Sequence, residues 1–243
     1  MKHPPALRNL FLFLSLSLVV SCADFDARVP EILNMGSSNS PASLTNNDYV
    51  EGVIEALKVG IDRTVQNLGR TGGFFNDKQV RIPMPEELQR VESVLRKLGQ
   101  DSYADEFVET MNRAAERAVP KASTIFYDAV KQMRIDDARR IVSGPDNAAT
   151  EYFRDKTYEP LRQAFLPVVR DVTAEVGVTS AYKLMMDKAG PLRQFLNNES
   201  VDIDRYITRK ALDGLFIKLT DEEKQIRHDP VARTSDILRK VFG

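Results

Sequence analysis

Residues 45–69 read TNNDYVEGVIEALKVGIDRTVQNLG and hold the pattern that decides the fold class. Apolar residues recur there at steps of three and four, which places them on one face of an α-helix. These residues are Val50, Val53, Ile54, Leu57, Ile61, Val65 and Leu68. The polar residues 45–48 can cap the first turn, and Gly69 is a typical helix end. The stretch therefore predicts a long amphipathic helix with one face in a protein core.

The same spacing continues along the chain, while the alternation of apolar and polar residues that is typical of strands is nearly absent. We expect further helices at about 85–98, 102–130, 136–142, from 145 onward, 161–176, 179–189, 204–219 and 235–242. Pro120 and Pro167 lie inside two of them and should kink those helices. Residues 220–223, TDEE, fit a capping box that would open a further short helix. The prediction is an all-α, compact multi-helix bundle with kinked helices.

One segment departs from the helical pattern. Residues 72–85 read GGFFNDKQVRIPMP, and the closely spaced Pro83 and Pro85 exclude a helix there. We expect this segment either to add a short hairpin or to drape over the core.

The first residues have the pattern of a bacterial lipoprotein signal. Lys2 and Arg8 form a basic start, and the apolar run from Leu10 to Val20 is shorter than the roughly 20 residues that cross a bilayer. The sequence VVSC at 19–22 is similar to a lipobox, whose cysteine receives acyl chains, palmitate among them. We therefore predict cleavage before Cys22, the only cysteine of the chain, and stable anchoring through more than one acyl chain.

The chain divides into three parts by composition. Residues 1–21 are the predicted lipoprotein signal peptide, 22–47 a lipid-anchored flexible tether rich in Ser, Asn and Pro, and 48–243 a single all-helical domain. Two helical subdomains are the alternative to a single domain. Ala23 stands where an inner-membrane retention signal would have Asp, so the resemblance to Gram-negative sorting signals implies the periplasmic face of the outer membrane.

Composition excludes several classes of function. The chain has 34 basic and 35 acidic residues, and cleavage would remove two bases and no acid, so no basic surface for nucleic acid is expected. After cleavage His228 and the acylated Cys22 would be the only His and Cys, which are too few for a metal site. There is no calcium loop, phosphate loop or nucleophile elbow. We expect no metal, no cofactor and no nucleic-acid partner.

Polar clusters interrupt three otherwise apolar stretches. They comprise Asn112, Arg113 and Glu116, then Asp213 beside Gly214, and finally Arg227, Asp229 and Arg233. The spacing of residues 112 and 116 puts both on one face of a helix. The clusters are interpreted either as networks that hold helix ends together or as a ligand or catalytic site, and the structural interpretation is preferred.

The same segments resemble the bacterial family known as domain of unknown function 4197, over nearly all of residues 50–243. The resemblance is carried by Val80 to Pro85, Met111 to Glu116, Asp146 to Thr150 with Tyr152 to Arg154, Ala211 to Phe216, Arg227 to Ser235 and Val241 to Gly243. It implies an envelope protein of Gram-negative bacteria, often a lipoprotein. It implies no reaction, ligand or catalytic residue.

The leading hypothesis is a non-catalytic outer-membrane lipoprotein on the periplasmic face. Its lipid would bind the membrane, and its helical domain would bind an apolar ligand or an envelope protein. The alternative is a hydrolase-like enzyme that uses carboxylate and arginine chemistry in a helical cleft near Asn112, Glu116, Asp213 and Arg233. A purely structural role in envelope assembly is a third hypothesis.

Overall fold

The first helix begins at a reciprocal cap. In the computed structural model, which describes residues 44–121, 123–132, 135–190 and 201–243, the Thr45 hydroxyl accepts the backbone N–H of Asp48. The Asp48 carboxylate in turn accepts the backbone N–H of Thr45 at 2.7 Å. This pair opens α1 (Asn46–Gly69). The predicted signal peptide and residues 22–43 of the predicted tether lie outside the described residues.

Eight more helices follow in the described part of the chain. They are α2 (Gln89–Lys97), α3 (Asp101–Lys121), α4 (Ser123–Lys131), α5 (Ile135–Val142), α6 (Ala148–Val176), α7 (Val178–Ala189), α8 (Ile203–His228) and α9 (Asp236–Phe242). Short 3-10 turns at Glu86–Leu88 and Pro230–Ala232 precede α2 and follow α8. The described residues contain no strand, so the predicted all-α bundle is confirmed. None of the described helices is long and apolar enough to cross a membrane.

Four long helices, α1, α3, α6 and α8, pack on one another and enclose the main core. Its largest fully buried side chains are aromatic: Phe74, Phe107, Phe126, Phe153, Phe165 and Phe216. The rings of Phe153 and Phe216 join α6 to α8 in a tilted contact with centroids 5.9 Å apart. A smaller apolar cluster of Ala56, Ile226, Ala232 and Leu238 lies between α1, α8 and α9.

Two glycines let α8 and α9 come close to the α1 backbone. A Cβ atom on Gly60 would lie 2.7 Å from Leu219 Cδ1, and one on Gly52 would lie 2.9 Å from Val241 Cβ. A Cβ atom at either position would therefore force the Leu219 or the Val241 side chain to move, because Cβ atoms do not approach other carbons so closely. Gly52 and Gly60 thus set the distance of α1 from α9 and α8, and neither glycine belongs to the apolar stripe from which α1 is predicted.

The region from 145 to 176 differs from its prediction. Two successive helices were expected there, and the structure has one continuous helix, α6, with Pro160 and Pro167 inside it. Leu161, Phe165 and Val169 are buried along one face of it. Each fully buried side chain contributes about 1.5–3 kcal/mol, so the three together are of the same size as the cost of the two interior prolines, roughly 3 kcal/mol each.

Two further helix boundaries differ. The predicted break at 220–223 is wrong, because α8 continues through it, with Leu219 and Ile226 buried seven residues apart on the core side. The predicted kinked helix at 102–130 forms two described helices, with Pro120 in the last turn of α3 and α4 beginning at Ser123. The helices predicted at 136–142, 179–189 and 235–242 are confirmed to about one residue at each end.

The terminal helix α9 completes the smaller apolar cluster. Ser235 caps it by accepting the N–H of Leu238, and the side chains of Leu238 and Val241 are buried.

We expect truncation after Thr234 to destabilise the protein by several kcal/mol, since each fully buried apolar side chain is worth about 1.5–3 kcal/mol. Thermal unfolding of the truncated and intact chains measures the effect. Arg239→Gln, a change at an exposed residue of the same helix, is the control and should melt close to the intact chain. An unchanged melting temperature after truncation would show that α9 is peripheral.

Candidate functional site

Asn112 fastens the segment between α1 and the first 3-10 turn, residues 70–85, onto α3. Its Oδ1 accepts the backbone N–H of Ile82 at 2.8 Å, and its Nδ2 donates to the carbonyl oxygens of Ile82 and Val108 at 2.8 Å each. The side chain is fully buried. A single amide thus satisfies both backbone groups of Ile82, as a neighbouring strand would.

Glu116, one helical turn later on α3, holds the other end of the 70–85 segment. One carboxylate oxygen accepts the backbone N–H groups of Phe74 and Phe75 at 3.0 and 3.1 Å, and the other accepts that of Gly72 at 3.1 Å. Gly72 has a φ angle of 77°, a conformation that side chains disfavour, and the turn there directs successive amides at the carboxylate. The buried charge of Glu116 is therefore compensated by three backbone donors.

The opposite side of the 70–85 segment packs on α8. A Cβ on Gly214 would lie 3.0 Å from a ring carbon of Phe74 and 3.1 Å from Val80 Cβ, so this glycine makes room for the segment. Lys218 Nζ lies 2.6 Å from both Asp77 Oδ2 and Gln79 Oε1. The segment thus drapes over the core between α3 and α8, and within the described residues it forms no hairpin.

The charge of Asp77 is stabilised in this position. Burial by itself would raise the pKa of Asp77, but hydrogen bonds from Lys218 Nζ and the Gln79 N–H outweigh that effect and lower it. Asp77 and Lys218 therefore form a charged link between the segment and α8.

Asp213 lies apart from the segment, facing α6. Its Oδ1 is 3.1 Å from the Tyr158 hydroxyl and 3.3 Å from Arg154 Nη2, and the Arg154 guanidinium also lies over the rings of Tyr158 and Phe216. Burial raises the pKa of Tyr158 to about 12, and the Asp213 carboxylate adds to the shift. Tyr158 therefore stays protonated and donates to Asp213 over the physiological range.

A buried ion pair on α8 organises the junction between α5 and α6. The Glu223 carboxylate accepts the N–H groups of Ala149 and Thr150 at 2.9 and 2.8 Å, in the first turn of α6. Arg227 donates to Glu223 and to the carbonyl oxygens of Ile141 and Val142, at the end of α5. The negative group thus meets a helix N-terminus and the positive group a helix C-terminus, as the helix dipoles favour.

The remaining predicted residues lie at the C-terminal end of α8. Arg233 donates from Nε to the carbonyl of Ile226 at 2.9 Å and from Nη2 to that of Arg227 at 2.8 Å. Asp229 caps the following 3-10 turn by accepting the Val231 N–H. Both side chains thus satisfy backbone groups where α8 ends.

The seven predicted polar residues divide among four places. Asn112 and Glu116 share the 70–85 segment, Arg227, Asp229 and Arg233 share the end of α8, Asp213 faces α6, and Arg113 is exposed with one 3.4 Å contact to Thr110. Four of them, Asn112, Glu116, Arg227 and Arg233, bind backbone groups of other segments or helix ends. No group of three or more His, Cys, Asp and Glu side chains in the described ranges is placed to hold a metal ion.

Sequence reasoning missed Glu223 and Lys218. Glu223 was assigned to a capping box, whereas it lies inside a continuous α8, four residues before Arg227. The available signal is the (i, i+4) spacing of an acid and an arginine, Glu223 and Arg227, on either side of the buried Ile226. Lys218 carries no comparable pattern, because its partners Asp77 and Gln79 are far away in sequence.

Residues 43–243 match the model of a family described as "Protein of unknown function (DUF4197)". The match covers all of the described helices. Among curated proteins and solved structures the chain has no significant match.

We expect Asn112→Ala and Glu116→Gln each to destabilise the protein, because each leaves buried backbone groups without partners at a cost of about 1–3 kcal/mol. For a domain of this size each kcal/mol lowers the melting temperature by about 2–4 °C. The exposed Arg113→Gln on the same helix is the matched control. Unchanged or raised melting temperatures for both variants would favour a binding or catalytic role for these side chains.

We expect Glu223→Ala to have a larger effect, about 3–5 kcal/mol, because it removes one partner of a buried ion pair and uncaps α6. Lys224→Ala, a change at the exposed neighbouring residue, is the control, and chemical denaturation of both variants measures the difference. Equal stability of the two variants would contradict the structural role assigned to Glu223.

Proposed function

We propose that this chain, which belongs to the DUF4197 family, is a lipid-anchored envelope protein on the periplasmic face of the outer membrane whose helical domain acts by binding rather than by catalysis. The anchor is the acylated Cys22. The tether predicted from sequence, residues 22–47, joins this anchor to the helical domain.

The observation that carries the non-catalytic part is the use of the buried charged groups. Both oxygens of Glu116 and both oxygens of Glu223 accept backbone N–H groups, and Arg227 and Arg233 donate to backbone carbonyls. A general acid or base must reach a proton on a substrate. These side chains already bond to backbone groups at helix ends and in the 70–85 segment, so they are not positioned to exchange a proton with a substrate.

The enzyme alternative has less support. It requires at least two of Asn112, Glu116, Asp213 and Arg233 in one pocket. Asn112 and Glu116 both bond to the backbone of the 70–85 segment, whereas Asp213 bonds to α6 and Arg233 to the end of α8. Asp213 and Arg154 remain partly exposed, with 33% and 40% of their side-chain surface accessible. An enzyme of this kind would therefore have to contact its substrate through this pair.

The anchoring part rests on the amino-terminal sequence. The branched Val19, the small Ser21 and Cys22 follow an apolar run of signal-peptide length, and Ala23 lacks the charge of an inner-membrane retention signal. Two or more acyl chains on Cys22 would give stable membrane association, since a single chain gives only marginal binding.

Substitution tests this proposal in a Gram-negative host. We expect Cys22→Ser to abolish incorporation of labelled palmitate and to move the protein out of the outer-membrane fraction, because the acyl chains are the proposed anchor. Ala23→Asp should leave acylation intact and shift the protein to the inner membrane, while the conservative Ala23→Ser is the matched control. Palmitate labelling or outer-membrane recovery of the Cys22→Ser protein would contradict the proposal.

A further inference from the structure

A polar cleft lies between the C-terminal half of α1, the 70–85 segment and α8. Its volume is about 510 Å³, within the range of roughly 300–1,000 Å³ that is usual for small-molecule sites. Leu68 is the only apolar side chain among its described lining residues. A lining whose accessible surface is more polar than apolar suits a polar ligand better than a lipid.

Most of the polar side chains of the cleft are available for binding. Six of them have no side-chain hydrogen bond or ion pair within the part of the chain that the structure describes: Thr64, Asn67, Arg70, Asn76, Lys78 and Gln225. Four of the six carry groups that both donate and accept a hydrogen bond: the carboxamides of Asn67, Asn76 and Gln225 and the hydroxyl of Thr64. Their availability contrasts with Asn112 and Glu116, whose groups are all engaged.

The lining of the cleft holds three basic and three acidic side chains, and Arg63, which pairs with one of the acids from outside the lining, brings the local balance to one positive charge. Lys218 Nζ lies between Asp77 and Asp221, at 2.6 and 3.7 Å, and Glu222 pairs with Arg63 at 3.3 Å. Each acid of the lining thus has a basic partner, and Asp77 and Asp221 share Lys218. Arg70 and Lys78 remain without a carboxylate partner among the described residues.

Thr64 supplies an independent observation. The residue is 1% exposed and lines the cleft, and its hydroxyl is buried without a hydrogen-bond partner in the described structure. Two other buried helical threonines do have partners: the Thr208 hydroxyl donates to the Asp204 carbonyl at 2.7 Å, and the Thr150 hydroxyl donates to the Glu223 carboxylate at 2.8 Å. An unsatisfied buried hydroxyl destabilises the folded chain, and a ligand atom in the cleft would be the partner that it lacks.

We propose that this cleft binds a small polyhydroxylated anion, of the sugar-acid or sugar-phosphate class. Ligand hydroxyls match the carboxamides and Thr64, because both sides donate and accept, and one anionic group matches Arg70 and Lys78. This inference deepens the binding role proposed above and rests on it. It replaces the apolar ligand expected from sequence with a polar one at this site.

Titration calorimetry on the purified full-length protein in mild detergent tests the ligand class. Glucuronate and glucose 6-phosphate are the two anionic probes, and the tighter one tells whether a carboxylate or a phosphate is preferred. Uncharged glucose and inorganic phosphate should each bind at least about tenfold more weakly, because glucose lacks the anionic group and phosphate lacks the sugar hydroxyls. Absence of binding by both anionic sugars would overturn the proposal, as would equal binding of glucose or of phosphate alone.

Substitutions at the cleft locate the site. Arg70→Gln and Lys78→Gln should each weaken binding of the preferred probe by about tenfold, through loss of a charge-assisted contact, and leave the melting temperature unchanged. Lys97→Gln, at an exposed and unpaired lysine of α2 away from the cleft, is the matched control and should leave binding unchanged. Equal affinity in all three variants would place the binding elsewhere and overturn the assignment.

A pair of isosteric changes separates ligand binding from folding. Thr64→Val should keep or raise the melting temperature and weaken binding, because it removes a hydroxyl that has no partner in the fold. Thr208→Val, at an equally buried threonine with a satisfied hydroxyl, should lower the melting temperature and leave binding unchanged. A Thr64→Val protein that is destabilised like Thr208→Val, or that binds as the unaltered protein does, would contradict the role of Thr64.

These measurements are independent of membrane anchoring. If the probes do not bind but the protein fractionates with the outer membrane, the proposed ligand site is rejected and the lipoprotein proposal stands. If the probes bind but the protein does not fractionate with the outer membrane, the lipoprotein proposal is rejected and the ligand site stands.

Discussion

Glu116 accepts three backbone N–H groups of the 70–85 segment with one buried carboxylate. The segment brings Phe74, Val80 and Ile82 into the core and covers the gap between α3 and α8. Without a fixed segment, these apolar side chains would have no defined place and the polar cleft would lose one of its walls. The constraint is general, because a buried connection that is neither helix nor strand must find partners for its backbone groups on nearby side chains.

The same solution recurs at the other irregular parts of the fold. Glu223 and Arg227 satisfy the facing ends of α6 and α5, and Arg233 satisfies the end of α8. Buried charges are weak contributors to net stability, because removing them from water is costly. Here each is matched to a helix end or a turn that would otherwise be unsatisfied, so the charges define one arrangement of the helices.

Thr64 departs from this pattern. Its hydroxyl and Gln100 Oε1 are the two buried side-chain groups without a hydrogen-bond partner in the described residues, and the unpaired Arg70 and Lys78 lie in the same cleft as Thr64. By contrast, Asn112, Glu116 and Arg233, which form conspicuous polar clusters in the sequence, bond to backbone groups and hold the fold together. The site with free hydrogen-bonding capacity is built instead from residues such as Asn67 and Gln225, which show no motif. Function here is better sought among unsatisfied groups than among conspicuous charged ones.

The sequence by itself determined the helical class, the location of most helices and the caps at Thr45 and Ser235, because these follow from local periodicity and from side chains that bond to nearby backbone. It also placed the polar clusters on their helices. The continuity of α6 through Pro160 and Pro167 and of α8 through residues 220–223 was decided by tertiary packing, since buried apolar contacts outweigh local helix-breaking or capping preferences. Glu116, Lys218 and Glu223 each have partners that are distant in the chain, from 41 residues between Phe75 and Glu116 to 139 between Gln79 and Lys218. No local pattern encodes such pairings, and only the packing of α3, α6 and α8 around the 70–85 segment brings them together.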